Sequence, residues 1–200
     1  DRLLRNDLEA ASAGLLVRPR FVDVTAGSGL DRASYGMGVA TGDYDGDGIV
    51  DLYLTNFGPN RLLRGLGDCR FEDRTEAAGA GDDRWSVPAT FFDADGDGDL
   101  DLFVGNYLRY SLAEDQPCFR ADSTPDYCGP KTFPAEADRY LENRGDGTFA
   151  DRTIAAGFAA AEPGRALGAI AFDLDADGSP ELFVANDSTD NHLFVSRADG

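Results

Sequence analysis

Positive charge is what this 200-residue sequence has least of: 18 Lys and Arg stand against 37 Asp and Glu, for a formal charge of −19 at pH 7. A chain so charged repels phosphate backbones, which excludes a nucleic-acid partner. No apolar run approaches the roughly 18 residues of a spanning helix, so membrane insertion is not expected, and no signal-like apolar core is legible. Histidine is reduced to His192, at the start of an expected strand and without a G-x-S-x-G elbow elsewhere; no catalytic residue is assigned. Three cysteines, Cys69, Cys118 and Cys128, are too few for a cysteine-rich zinc site. Hydrophobicity is not lacking: a 42% apolar content with 13 Phe and 7 Tyr is that of a folded chain, so disorder does not explain the charge.

The acidic residues concentrate in three windows, DYDGDGIVD (43–51), DADGDGDLD (93–101) and DLDADGSPE (173–181). Each carries carboxylates at positions 1, 3, 5 and 9 and Gly at position 6. Four carboxylates brought together repel one another unless a hard cation with six to eight oxygen ligands joins them. The ligand sets read from this spacing are Asp43, Asp45, Asp47 and Asp51; Asp93, Asp95, Asp97 and Asp101; and Asp173, Asp175, Asp177 and Glu181. The main-chain carbonyls of Ile49, Asp99 and Ser179 at position 7 complete them. An all-oxygen set points to Ca²⁺, about one ion per loop, and three such ions would offset six of the negative charges. Pro180 before Glu181 makes the third loop the weakest of the three. An EF-hand is excluded, since position 12 is Leu54, Val104 or Val184 inside short apolar strands rather than a bidentate Glu. One DxDxDG is compatible with a solvated acidic turn; three in the same strand–loop–strand setting require a common cause.

The loops belong to a longer repeat. Each follows an Ala-containing apolar stretch (36–42, 87–92, 167–172) and precedes a β-rich run (52–56, 102–106, 182–186), then a third apolar stretch (61–64, 139–143, 192–196). A fourth element, FEDRTEAAGA (71–80) or FADRTIAAGF (149–158), closes the first two repeats, and FVDVT (21–25) stands apart near the start. Phe21 to Phe71 and Asp43 to Asp93 both span 50 residues, whereas Asp93 to Asp173 spans 80, so about 30 residues are inserted. Four short strands per repeat predict an all-β propeller blade. The expected blades are 31–80, 81–158 with an insertion at 108–137, and an incomplete 159–200, preceded by a blade-ending strand at 21–30. Leu3, Leu4, Leu8 and Leu15 suggest a linker or short helix over 1–20, ended by Arg18, Pro19 and Arg20.

With its Asp loops, LFV-type strands, NRGDGTF turn (143–149) and F-x-D-x-T endings, the chain resembles FG-GAP or VCBS repeats, the Ca²⁺-binding blades of integrin-α-like propellers. The inserted DYCGPKTFP (126–134) leading into DRYLENRGDGTF (138–149) resembles, more narrowly, the cartilage acidic protein family and its bacterial relatives with an ASPIC/UnbV domain. The resemblance spans roughly residues 21–200. It implies a larger ring of about seven blades, so the chain is expected to be a fragment whose open edge at the last blade invites self-association.

Cys118 and Cys128 bracket a nine-residue segment of the Pro-rich insertion, where a local disulfide would contribute roughly 2–3 kcal/mol. That pairing and the Ca²⁺ loops suggest a secreted, periplasmic or extracellular setting. Cys69 is then left over, as a buried or free thiol near the turn before Phe71 in preference to an intermolecular bridge. Arg144–Gly145–Asp146 spells an integrin-binding tripeptide, but the same turn recurs without it at 65–71 and 197–200, which favours a turn role. Asn56, Asn106 and Asn186 recur at the end of the second strand and are read as structural, although Asn186 opens a glycosylation sequon. Tyr107, Tyr110, Phe119, Tyr127 and Phe133 make the insertion aromatic, in keeping with a binding surface or with core packing. The function expected is a non-enzymatic Ca²⁺-binding module with an adhesive role toward a protein or glycan ligand. A polysaccharide hydrolase or lyase on the same scaffold is the alternative.

Overall fold

A computed structural model describes residues 1–7 and 19–196. A hairpin of β1 (Leu4–Asn6) and β2 (Phe21–Asp23) precedes three antiparallel sheets. The first is a meander of β3 (Gly36–Gly42), β4 (Asp51–Asn56), β5 (Arg61–Gly65) and β6 (Phe71–Asp73). The second opens with β7 (Ser86–Phe92) and β8 (Asp101–Asn106). Its chain then leaves for the insertion, where β9 (Cys118–Phe119) pairs with β10 (Pro125–Asp126), and returns as β11 (Arg139–Asn143) and β12 (Phe149–Asp151). The third consists of β13 (Ala166–Phe172), β14 (Glu181–Asn186) and β15 (His192–Phe194) among the described residues. The fold is thus all-β, built from propeller-type blades.

The inner strands carry small residues because neighbouring blades meet there. A Cβ on Gly38 of β3 would lie 2.4 Å from the carbonyl oxygen of Val87 on β7, and the Thr55 hydroxyl donates to that same oxygen at 2.6 Å. The second strands supply the core by alternation. Tyr53 joins Leu102, Val104, Leu141 and Phe149 between the first and second blades, while Phe103 turns the other way to meet Leu182 and Val184. Leu54 packs with Leu30 and Leu63 toward the N-terminal hairpin. Each interface is therefore one side of a two-faced strand.

The outer strands lock through the F-x-D-x-T ending. The N–H of Leu62 donates to Thr75 Oγ1 at 2.9 Å, that of Tyr140 to Thr153 Oγ1 at 3.0 Å and that of Leu3 to Thr25 Oγ1 at 2.8 Å. The segment after this ending then passes under the next blade, whose Phe71 and Phe149 N–H groups donate to the carbonyls of Ser28 and Ala78 at 2.8 Å each.

That triple equivalence corrects the expectation for the N-terminus. Residues 4–6 are strand, not linker or helix, and pair Leu4 with Asp23 in the register of Leu63 with Asp73 and Leu141 with Asp151. FVDVT accordingly pairs with this N-terminal strand. The signal was present, since RLLRN (2–6) repeats RLLRG (61–65). Leu8, Leu15 and Arg18, and the turn at 197–200, lie outside the described residues.

In the insertion Cys118 and Cys128 are joined by a disulfide with Cα atoms 5.2 Å apart. Its aromatic residues divide: Tyr107, Tyr110 and Phe133 pack in a chain of ring contacts with Trp85, whereas Phe119 and Tyr127 are exposed. The recurring asparagines are structural. Asn56, Asn106 and Asn186 each donate from Nδ2 at 2.8 Å to the carbonyls of Pro59, Ala137 and Asp190, closing the turn ahead of the third strand.

Their backbone N–H groups meet a side chain at one repeated position: Asn60 Oδ1 at 2.8 Å, Asp138 Oδ1 at 2.7 Å and Asn191 Oδ1 at 2.9 Å. Burial pushes the Asp138 carboxyl up to about 7, although the bond from Asn106 opposes this. A carboxyl whose folded value lies above its unfolded one contributes stability at low pH that is lost as pH rises through the folded value. Asp138→Asn, which installs the residue of the other two blades, should therefore raise stability at pH 8 by about 1 kcal/mol after discounting for partial exposure. Melting curves at pH 5 and pH 8 test this. A gain that is the same at both would sink the titration argument.

Candidate metal centres

All three Asp windows adopt one loop shape. Gly48, Gly98 and Gly178 take left-handed backbone at φ 82°, 95° and 96°, and their N–H groups donate to the position-1 carboxylates Asp43, Asp93 and Asp173 at 2.8, 3.1 and 3.1 Å. Ile49, Asp99 and Ser179 donate N–H to the position-5 carboxylates Asp47, Asp97 and Asp177 at 2.9, 2.9 and 2.8 Å. Each side chain thereby orders its own loop as a series of short turns.

Carboxylate oxygens within 4.8 Å of one another come from Asp43, Asp45 and Asp51; from Asp93, Asp95 and Asp97; and from Asp173, Asp175 and Glu181. Nine of the twelve carboxylates of the ligand sets thus converge, while Asp47, Asp101 and Asp177 stand outside these groups. Glu181 reaches its cluster despite Pro180, so the longer side chain compensates for the altered loop. The donors are all oxygen, the chemistry of a hard divalent cation.

The position-9 carboxylates are the buried members, with Asp51 0%, Asp101 2% and Glu181 2% exposed. Asp51 accepts from the N–H groups of Tyr44 at 2.9 Å and Gly65 at 2.6 Å, and Asp101 from those of Ala94 at 3.0 Å and Asn143 at 2.7 Å. Glu181 accepts from the N–H of Leu174 at 2.7 Å. Burial, with Asp45 and Asp43 nearby, pushes Asp51 up to about 6 against the pull of its two N–H partners. Burial likewise raises Asp101 and Asp95. A divalent cation would favour the charged forms that burial opposes.

Sequence reasoning missed the third-strand residues that border these loops. Asn143 donates from Nδ2 to the Leu100 carbonyl at 3.0 Å, and Ser196 from Oγ to the Pro180 carbonyl at 3.2 Å. The first blade has Gly65 there, where a Cβ would lie 2.4 Å from the Val50 carbonyl oxygen. One residue earlier stands Arg64, whose Nη2 donates to Asp47 at 2.6 Å and whose Nε is 2.5 Å from Asp45. The repeated RLL/RYL stretch was the available clue.

Other singled-out residues have structural settings. His192 occupies the position of Arg61 and Arg139, which pair with Asp73 and Asp151 at 3.0 Å. Asp146 of the tripeptide accepts from Thr148 N and Oγ1 at 3.0 and 2.6 Å, forming a turn. Cys69 is a half-buried free thiol at φ 59°, in the turn position that Gly147 fills in the second blade.

Residues 43–104, from the first loop to the end of the second loop's strand, match the family of FG-GAP-like repeats. No curated protein matches the chain.

Ala176 holds left-handed backbone at φ 63°, where the other loops have Gly46 and Gly96 at φ 70° and 77°. An L-residue is strained there. Ala176→Gly should stabilise the chain by about 0.5–1 kcal/mol, read as a higher denaturation midpoint; an unchanged or lower midpoint would contradict the assigned strain.

Proposed function

We propose that this chain is a Ca²⁺-stabilised propeller-type module of a secreted, periplasmic or cell-surface protein, with a binding rather than a catalytic role. The convergence of all-oxygen donors in three equivalent loops carries the reading. Ca²⁺ is favoured over Mg²⁺ because the donors come from a short, curled loop able to offer irregular, high-coordinate geometry. Asp43, Asp45 and Asp51, then Asp93, Asp95 and Asp97, then Asp173, Asp175 and Glu181 would hold the ions, with the position-7 carbonyls and the remaining carboxylates of each loop closing the shells. The ion would supply charge neutralisation, tying the loop to the first and second strands of its blade, so binding would be coupled to folding. The disulfide in the insertion supports an oxidising compartment. No helix among the described residues is long and apolar enough to cross a membrane.

A cleft of about 570 Å³ supports the ligand-binding role. It lies by the C-terminal end of β8, away from the Asp loop that starts that strand, between Trp85, Tyr107, Tyr110 and Phe133 on one side and the disulfide hairpin with Tyr127 on the other. Aromatic faces in a cleft suit sugar rings or a peptide segment of a partner. Exposed Met37 and Val39 on β3 and Leu167 and Ile170 on β13 leave apolar surface at both ends of the blade series, which further blades would cover. The CGPKTFP insertion is what supports the narrower kinship with the cartilage acidic protein family.

Ca²⁺ should raise the melting temperature and chelator should lower it. Asp95→Ala should remove the second site, whereas Ile49→Val should leave the first intact because only the carbonyl is used. A melting curve indifferent to chelator would sink the metal reading. Trp85 is the sole tryptophan, so its fluorescence should respond to a cleft ligand when neutral oligosaccharides and peptides are titrated in; no change with either class would remove the cleft from the reading.

A further inference from the structure

We infer that Arg64 is a built-in counter-cation of the first Asp loop, making that loop the weakest divalent-ion site of the three and the one least dependent on an ion for its shape. The inference rests on the Ca²⁺ reading and assigns unequal affinities within it. Equivalent pairs fix the comparison: Leu52 with Leu63, Leu102 with Leu141 and Leu182 with Phe194. The next residue along the third strand is Arg64 in the first blade, Glu142 in the second and Val195 in the third.

Arg64 reaches into its loop, with Nη2 2.6 Å from Asp47 Oδ2 and Nε 2.5 Å from Asp45 Oδ2. Asp45 belongs to the converging cluster, so the guanidinium already occupies one face of a ligand that a metal must share. A divalent ion entering there either displaces the guanidinium or sits beside a like charge, and both lower affinity. The other cation bordering this space, Arg74, lies 3.7 Å from Glu72. Glu142 stands at the same register position beside the second loop and has the opposite sign, with both of its oxygens held by Arg152 at 3.1 and 3.3 Å. Val195 adds no charge to the third. The first loop, the one with a cation on its ligand carboxylates, is thus the weakest of the three.

Backbone amides provide a separate reporter in each loop, since Gly48, Gly98 and Gly178 each donate to the position-1 carboxylate. In a CaCl₂ titration of the whole chain followed by ¹⁵N–¹H spectra, Gly98 and Gly178 should saturate at Ca²⁺ concentrations at least tenfold below Gly48. Arg64→Ala should bring Gly48 to within about threefold of Gly178. Arg64→Gln keeps the side-chain stem if truncation disturbs packing, and should act in the same direction. Glu142→Arg should weaken Gly98 at least tenfold. If Gly48 saturates with the others in the parent chain, or its lag persists in both Arg64 variants while Gly98 and Gly178 still respond, the Arg64 assignment falls and the Ca²⁺ reading stands. If none of the three responds up to about 10 mM, above the usual range of extracellular sites, both fall.

Discussion

The buried position-9 carboxylate is the interaction on which each blade depends. Asp51 lies at the start of the second strand with no exposed surface, yet its two oxygens reach backward to the loop at Tyr44 and sideways to the third strand at Gly65. Asp101 repeats this with Ala94 and Asn143 and adds the Tyr140 hydroxyl at 2.8 Å. One side chain therefore fixes where the loop leaves, where the second strand begins and how far the third strand runs. Burying a carboxylate is costly unless its charge is met, and two backbone N–H groups meet only part of it. The remainder is a bias toward a proton or a cation, visible in the raised value of Asp51, about 6. In the ion-free state, protonation would relieve this cost, so stability from this group is lost as pH rises through its folded value. A bound metal ion would reverse that dependence by stabilising the charged form.

A second constraint comes from the approach of inner strands. Where β3 meets β7, the separation is set by backbone, not by side chains, because a Cβ on Gly38 has no room beside the Val87 carbonyl. Close inner strands and bulkier second strands make each blade a wedge, and wedges side by side generate the curvature of a propeller. Tyr53 and Phe103 illustrate the wide end, register equivalents that each point toward the following blade. The close approach at Gly38 is thus as necessary to this interface as the Asp loop that follows its strand.

Much of this was legible because it repeats. The first three strands of each blade were placed to within a residue or two at most ends, since the Asp loop marks the turn between the first pair and β-rich runs follow it. The acidic clusters were legible for the same reason, since alternate residues on a curled loop face one side, but the spacing also included Asp47, Asp101 and Asp177, which stand outside the converging groups. The first hairpin was not, because RLLRN is separated from FVDVT by a Leu- and Ala-bearing stretch whose sequence has no strand pattern. Arg64 was missed for a different reason. Its relation to Asp45 and Asp47 exists only through strand register, which links residues 17 and 19 positions apart and leaves no local pattern.

Repetition of the scaffold does not make the blades equivalent. Where the fold needs a hydrogen-bond acceptor ahead of the third strand, Asn60, Asp138 and Asn191 all serve, yet only Asp138 introduces a titrating group. Where the fold needs only a strand residue beside the Asp loop, Arg64, Glu142 and Val195 serve equally well for pairing and differ entirely in charge. Positions of this kind are under no constraint from backbone geometry, so they are free to set the electrostatics of neighbouring carboxylates blade by blade. A chain of like modules can in this way carry sites of unlike strength without altering a single loop, and the charge of −19 is then distributed into local fields rather than spread as a uniform acidic coat.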